Sequence, residues 1–225
     1  MIKRLVNLFF PKVCNACNNL LSDNIETICL DCRHDLPLTN FHFDNNDHVK
    51  KVLYGRAKIE NATALFRFEK KGKIQQLIHN LKYKKQEHIG TALGNWLGGE
   101  LKTLPEYKNI DVVIPVPLHK KKFKKRGFNQ VDKFGQQIAK NLDAIYLNDV
   151  LLKITNTKSQ VNKKRLARWN NNEELFTLEN KIKIENKHIL IVDDIITTGA
   201  TLEACILILN QAKNIKVSIA TMAIA

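Results

Sequence analysis

Two adjacent acids and a threonine-rich turn are the residues of this chain best suited to chemistry. Asp193 and Asp194 follow an uninterrupted aliphatic run, Ile189 to Val192. Such a run is typical of a buried parallel strand. Carboxylates at the end of a strand suit sugar hydroxyls or a Mg²⁺ ion, because a carboxylate accepts hydrogen bonds from hydroxyls and is a preferred ligand of hard cations.

The turn after the acids is predicted to bind phosphate. Apolar residues at 202, 205, 206 and 209 have the spacing of a core-facing helix, so the turn lies at a helix N-terminus. Backbone N–H groups and the helix dipole make such a terminus an anion site. The expected phosphate contacts are Thr197, Thr198, Gly199, Ala200 and Thr201. Together the turn and the acids describe a sugar-phosphate site; the alternative is an ordinary strand before a threonine-capped helix.

A second strand-loop-helix unit precedes this one and carries a strongly basic loop. The strand is predicted over 111–118, the loop over 119–130, and a helix follows with Val131, Phe134, Ile138 and Leu142 on one face. A cationic loop at the end of a parallel strand suits an anion. Arg126 is the best candidate there, because its planar guanidinium matches the geometry of phosphate.

The segment 189–201 resembles the motif with which type I phosphoribosyltransferases bind phosphoribosyl pyrophosphate (PRPP). The resemblance implies that Asp193 and Asp194 hold the ribose hydroxyls with Mg²⁺, and that 197–201 hold the 5′-phosphate. In an enzyme of this kind these acids and Arg126 would be catalytic. The implied fold is α/β: a doubly wound parallel sheet with a hood or flexible loop. The loop after the earlier strand would grip pyrophosphate through His119, Lys120, Arg126, Gly127, Asn129 and Gln130.

The narrower resemblance is to the ComF family of bacterial competence-associated proteins, and it covers essentially the whole chain. It rests on Arg-Gly-Phe-Asn-Gln at 126–130, on paired cysteines near the N-terminus and on the segment 193–201. About twenty residues from 155 to 174 lack apolar periodicity, which favours a mobile hood. The family pattern departs at Asn162-Lys163, where Gly-Leu is often found. The residues carried over to this flexible loop are Gln160, Arg165, Arg168 and Asn171.

The cysteine pairs near the N-terminus predict a metal site. Two C-x₂-C pairs stand eleven residues apart, a spacing that lets four thiolates converge on one structural Zn²⁺. Disulfides would require an oxidising compartment, and no export signal or cleavage site is evident in 1–10. We therefore expect a small N-terminal zinc module with four cysteine ligands, in a cytoplasmic protein. The expected ligands are Cys14, Cys17, Cys29 and Cys32.

The chain is strongly basic, with 36 Lys and Arg against 22 Asp and Glu and a net charge of +14. This charge favours a polyanionic partner, and single-stranded DNA is the candidate. A helix with Ile74, Leu77, Ile78 and Leu81 on one face has clustered basic flanks with Tyr83 among them, a mixture that suits a phosphate backbone and a stacked base. A solvated polar face is the alternative. The lysines of this cluster are Lys70, Lys71, Lys73, Lys82, Lys84 and Lys85.

The domain organisation is predicted from shifts in composition and periodicity. Residues 1–50 form the zinc module and a linker, and 51–225 form the phosphoribosyltransferase-like domain, divided into an entry segment (51–109) and a core (110–225). The entry segment is expected to hold a hairpin or two strands over 52–68 and two helices. Further strands are predicted over 145–154 and 217–223. No run of about 18 apolar residues exists, so no membrane span is expected.

Three functions fit these features. The first is a PRPP-binding protein of the ComF type that supports uptake or processing of single-stranded DNA in natural transformation, with other DNA-uptake or recombination proteins as partners. The second is a metabolic phosphoribosyltransferase acting on a nucleobase or another nitrogen nucleophile. The third is a non-catalytic regulator that senses PRPP. No segment shows an evident pocket for an acceptor base, so the sequence leaves open whether transfer is catalysed.

Overall fold

A computed structural model describes residues 11–22, 27–154 and 175–225. The helices are α1 (Leu30–Asp35), α2 (His48–Val52), α3 (Lys73–Tyr83), α4 (His88–Leu101), α5 (Lys120–Arg126), α6 (Asp132–Asn141) and α7 (Ala200–Leu209). The strands are β1 (Ala62–Arg67), β2 (Val112–Pro115), β3 (Ile145–Tyr146), β4 (Leu151–Ile154), β5 (Leu175–Leu178), β6 (His188–Ile196) and β7 (Lys216–Ile224). Short 3₁₀ turns lie at Pro105–Tyr107 and Lys181–Lys183.

The predicted doubly wound parallel sheet is present. Five strands pair in the order β1-β7-β6-β2-β3, and every pair is parallel. The central strand β6 aligns Ile191 with Ile114 of β2 and with Ile219 of β7. Because β2 and β6 run in the same direction, the segments that follow them, α5 and the threonine turn, both leave the carboxyl edge of the sheet.

Both faces of the sheet are covered, which explains the aliphatic run before the acids. Leu190 and Val192 pack in a cluster with α3, α4 and α6, whereas Ile189 and Ile191 pack with α7 on the other face. All four are fully buried. Alternate side chains of a strand point to opposite faces, so a strand buried on both faces must be apolar at every position.

Three expected elements differ in the structure. The segment expected to hold a hairpin over 52–68 contributes one strand, β1, which pairs with β7 at the far end of the sequence. The strand expected over 145–154 is two short strands, of which β3 joins the main sheet and β4 pairs antiparallel with β5. The basic loop expected over 119–130 contains a helix, α5. Lysine and arginine are good helix formers, and Gly127 ends this helix in the left-handed conformation.

The cysteine-rich segment packs against the first face of the sheet domain. Asn80 of α3 donates a hydrogen bond of 2.9 Å to the carbonyl of Asn15, and the guanidinium of Arg33 lies 4.8 Å from the ring centroid of Trp96 in α4. Cys14 and Cys32 are buried in the same apolar cluster as α3 and α4. Folding of this segment is therefore linked to packing of the larger domain.

Among the described residues, no helix combines the length and apolar character that crossing a membrane requires.

Candidate phosphate and pentose site

The acid pair lies near the end of β6. Asp193 and Asp194 are 9% and 7% exposed, and the strand continues for two residues beyond them. The backbone N–H of Asp194 donates to Asp193 Oδ1 at 2.8 Å, which fixes the first carboxylate against the strand. Two buried acids side by side are costly unless cations or donors compensate them.

Asp194 receives that compensation from two other elements. Its Oδ2 atom lies 2.9 Å from Nζ of Lys82 at the end of α3 and accepts a hydrogen bond of 2.7 Å from Nε2 of Gln130. The sequence predicts Lys82 as one of the basic residues clustered around Tyr83, whereas the structure pairs it with Asp194. No local pattern could have revealed this contact, since α3 and β6 are more than 100 residues apart in the chain.

Each residue of the Arg-Gly-Phe-Asn-Gln segment contributes to the position of its neighbours. Gly127 ends α5 with φ of 90°, and Phe128 is 9% exposed within the apolar cluster. Asn129 Nδ2 donates to the carbonyl of Val116 at 3.0 Å, which ties the segment to the end of β2. Arg126 donates to Oε1 of Gln130, whose amide in turn donates to Asp194. A hydrogen-bonded chain thus joins the basic helix to the acid pair.

The threonine turn has the geometry of an anion site. Gly199 precedes α7 with φ of 76°, and a Cβ atom there would lie 2.7 Å from Leu53 Cδ2 and 3.0 Å from Val52 Cγ1. Glycine is therefore favoured both by the positive φ and by the close approach of α2 and the residue after it. Thr197, Thr198 and Ala200 are exposed at the mouth of the turn, and Thr201 is half-buried. Gly199 has no side chain to cap α7, and the N–H of Ala200 lies 3.5 Å from Thr198 Oγ1, so the N-terminus of this helix is suited to an anion such as phosphate.

Arg56 connects the threonine turn to α2 and α7 through hydrogen bonds. Its guanidinium donates to the carbonyl of Thr198 at 2.6 Å and to Glu203 Oε2 at 2.8 Å, and it also donates to the carbonyl of Val52. The ion pair neutralises Glu203, the acidic residue in the first turn of α7. No local pattern in the sequence signals the role of Arg56 either.

The predicted site residues are only partly assembled in the described chain. The acid pair, the turn over 197–201 and the segment 126–130 all lie at the carboxyl edge of the sheet. His119 caps α5, since its Nδ1 accepts from the N–H of Lys121 at 3.1 Å, and Lys120 begins that exposed helix. The residues expected in the flexible loop, Gln160, Arg165, Arg168 and Asn171, lie outside the described residues.

The four predicted zinc ligands are brought together. One potential ligand atom from each of Cys14, Cys17, Cys29 and Cys32 lies within 4.8 Å of the others, and all four cysteines are free thiols. A tetrahedral ion with Zn–S bonds of about 2.3 Å needs sulfurs about 3.8 Å apart. The Sγ atoms of Cys17 and Cys29 are 3.8 Å apart, so the donor set fits a zinc ion.

Hydrogen bonds from backbone N–H groups favour the ionised form of one of these thiols. Burial acts to raise the pKa of Cys14, but hydrogen bonds from the N–H groups of Cys29 (3.3 Å) and Ala16 (3.4 Å) outweigh it and lower the pKa to about 7. Burial and the neighbouring thiols raise the pKa of Cys32. A thiolate is the form that binds metal, so the lowered pKa makes Cys14 available as a ligand at neutral pH.

Comparison with known proteins relates this chain to phosphoribosyltransferase domains and to proteins named for DNA use. A family model described as "Phosphoribosyl transferase domain" matches residues 133–223. The DNA utilization protein YhgH of Escherichia coli K12 is 26% identical over 210 residues, which cover 91% of this chain and 88% of that protein. Competence protein F of Haemophilus influenzae is 32% identical over 130 residues, which cover 56% of this chain and 57% of that protein. Among solved structures, a hypoxanthine phosphoribosyltransferase from Staphylococcus aureus is similar over 60% of this chain and 63% of the chain of that enzyme. The sequence identity is 21% and the TM-score is 0.35.

Proposed function

We propose that the chain is a ComF-type protein with a phosphoribosyltransferase domain, and that it binds PRPP and supports the uptake or processing of single-stranded DNA in natural transformation. The observation that carries the PRPP assignment is the hydrogen-bonded chain from Arg126 through Gln130 to Asp194. It joins a cationic segment to the acid pair at the edge of the sheet where the phosphate turn also lies.

The parts of PRPP match the parts of this site. The 5′-phosphate binds at 197–201, where the amides of α7 and threonine hydroxyls donate. The ribose hydroxyls donate to Asp193 and Asp194. The pyrophosphate group lies toward Arg126 and the start of α5, where cationic side chains compensate its charge. Lys82 offsets the negative charge of Asp194, which would otherwise repel a polyanionic ligand.

Two metal ions belong to this proposal. Mg²⁺ arrives with PRPP, and the oxygen-rich acid pair is the group suited to a hard cation. Zn²⁺ is held by the four cysteines in a structural role, because four protein thiolates complete its coordination and leave no position for a substrate.

The DNA role rests on the relatives and on charge. The matched relatives carry the names DNA utilization protein and competence protein, which favour this role over nucleobase salvage and over PRPP sensing alone. The net charge of +14 suits a nucleic-acid backbone. We place the protein in the cytoplasm, where other DNA-uptake or recombination proteins are its expected partners.

Thermal unfolding tests the PRPP assignment. A ligand that binds only the folded state raises the melting temperature in a concentration-dependent way. Mg²⁺-PRPP is expected to raise it more than Mg²⁺ with ribose 5-phosphate or with pyrophosphate, because only PRPP contacts the turn, the acids and Arg126 together. No rise with any of the three would remove the assignment. Release of pyrophosphate on addition of one nucleobase from a panel would favour the metabolic enzyme instead.

A further inference from the structure

We propose that the C-terminal turn of α3 and the exposed faces of α5 form one binding surface for single-stranded nucleic acid. This basic-aromatic surface comprises His79, Tyr83, Lys84, Lys85, Lys122, Phe123 and Lys125, and it borders Arg126 of the proposed pyrophosphate site. That the bound strand is DNA rests on the proposed function. The surface itself is inferred from the contacts and exposure of these residues.

The two helices meet through a row of planar groups. The guanidinium carbon of Arg126 lies 5.7 Å from the ring centroid of Tyr83, and the ring of His79 lies 5.0 Å from the same ring. Tyr83 is nevertheless 68% exposed, and Phe123 is 46% exposed. Large aromatic side chains that remain open to solvent beside cations are the groups on which unpaired bases stack.

The charges of the surface have one sign. Neither α3 nor α5 contains an acidic residue, and α5 carries six cations in seven residues, none of them buried. Lysines at 84 and 85 continue the charge directly after Tyr83. Such a cationic track suits phosphates spaced along a strand, while the rings between the cations suit bases.

The structure also divides the lysine cluster that the sequence indicated. Lys73 at the start of α3 pairs with Asp35 at 3.0 Å, and Lys82 pairs with Asp194 at 2.9 Å. One end of α3 is therefore tied to the cysteine-rich segment and Lys82 serves the pentose site. Lys84 and Lys85 follow Tyr83 directly in the chain, and α5 joins the surface through the contact of Arg126 with Tyr83.

The preferred ligand is a single strand rather than a duplex. In a duplex the bases are stacked on one another and their faces are not available to Tyr83. A duplex offers only its phosphates to this surface, so its binding gains nothing from the aromatic row.

Fluorescence anisotropy with labelled dT20 and the full-length protein tests the proposal. Tyr83→Ala is expected to weaken dT20 binding about tenfold, since removal of one base-aromatic stack has an effect of this order. Tyr83→Phe, which keeps the ring, should stay within about twofold of the wild type. A dT20·dA20 duplex should bind with an affinity that Tyr83→Ala leaves unchanged.

Charge variants provide a matched comparison. Lys122→Gln/Lys125→Gln is expected to reduce the slope of log affinity against log salt by about 1.4, or about 0.7 for each phosphate of a single strand that is no longer neutralised. The control Lys108→Gln/Lys213→Gln removes two exposed lysines from loops at the opposite edge of the sheet and should leave the slope unchanged.

Several outcomes would overturn the inference. These are unchanged dT20 binding by Tyr83→Ala, equal changes of slope in the two double-lysine variants, or duplex binding as sensitive to Tyr83 as single-strand binding. Tyr83-dependent binding to phosphatidylserine vesicles without any binding to dT20 would assign the surface to membranes instead. If the surface does not bind dT20, the PRPP assignment is unaffected. If the protein does not bind PRPP, a Tyr83-dependent affinity for dT20 would still support the surface.

Discussion

Lys82 at the end of α3 lies 2.9 Å from Oδ2 of Asp194 near the end of β6. The Lys82 side chain is 21% exposed and that of Asp194 is 10% exposed, so solvent screens this ion pair only in part. Gln130 shares the same carboxylate oxygen. An acid predicted to hold a ribose hydroxyl is thus neutralised by a residue from another part of the chain before any ligand arrives.

Lys82→Met is expected to weaken Mg²⁺-PRPP binding about tenfold. The substitution keeps much of the apolar stem of the side chain but leaves Asp194 without its cation. The uncompensated carboxylate then repels the polyanionic ligand. A hydrogen bond to a charged group is worth about 1.5 kcal/mol or more, which corresponds to about a tenfold change in affinity. Calorimetric titration measures the effect. Lys108→Met, an exposed lysine remote from this edge of the sheet, is the control, and equal affinities in the two variants would contradict the role of Lys82.

Gly199→Ala should cost more stability than Gly55→Ala. Both glycines have a positive φ, 76° and 71°, so alanine meets similar backbone strain of about 1 kcal/mol at each. Only at position 199 does the new Cβ meet other atoms, Leu53 Cδ2 at 2.7 Å, while nothing lies within 4 Å at position 55. Urea unfolding measures the two free energies. Equal reductions would show that the packing between α2 and the turn is loose.

The stability of the protein should fall as pH falls below about 6.5, the ordinary pKa of histidine, in part through His188. Burial is the largest cause of the lowered pKa of this residue, and its Nε2 lies 2.8 Å from Ser218 Oγ. Because the folded-state pKa lies below the unfolded value, the unfolded state binds the proton first. The contribution is therefore complete above the unfolded pKa and is lost as pH falls through the folded one.

A comparison with His188→Gln isolates this effect. The difference in free energy of unfolding between pH 7.5 and pH 5.5 should be smaller in the variant than in the wild type, since glutamine does not titrate. Urea unfolding at the two pH values measures it. The same difference in both proteins would mean that other groups account for the whole pH dependence.

The zinc assignment predicts one Zn²⁺ per chain in protein purified under reducing conditions. Cys14→Ser or Cys29→Ser should lose the ion and also lower the melting temperature, because this segment packs on α3 and α4 through Asn15 and Arg33. Elemental analysis measures the stoichiometry. Cys205→Ala is the control, because Cys205 is buried in α7 on the other face of the sheet. Retention of zinc by both serine variants would rule out the four-cysteine site.

The parts of the fold that local sequence determines were predictable. The aliphatic run of β6 is buried on both faces, and the periodic apolar residues of α3, α4, α6 and α7 all face the core. The sequence predicts a loop where α5 lies, although lysine and arginine are good helix formers. A run of lysines that ends at a glycine is also a helix signal, and Gly127 ends this one.

The parts that depend on distant pairing were not predictable. β1 joins the sheet only through β7, more than 140 residues later, and no local pattern encodes that partner. The same holds for the site. Its acids, its threonine turn and Arg126 could be named from residue types, whereas Lys82 and Arg56 act through contacts with residues more than 100 positions away.

The most direct test of PRPP binding at this site is a calorimetric titration of Mg²⁺-PRPP into the wild type and into Asp193→Asn/Asp194→Asn. The double variant keeps the size of both side chains but removes their negative charges, which pair with Lys82 and are proposed to accept hydrogen bonds from the ribose hydroxyls. We predict saturable binding of one PRPP per wild-type chain and at least a tenfold weaker affinity in the variant, on the order of 1.4 kcal/mol. Absence of binding in the wild type, or equal affinity in the variant, would contradict the assignment of this site to PRPP.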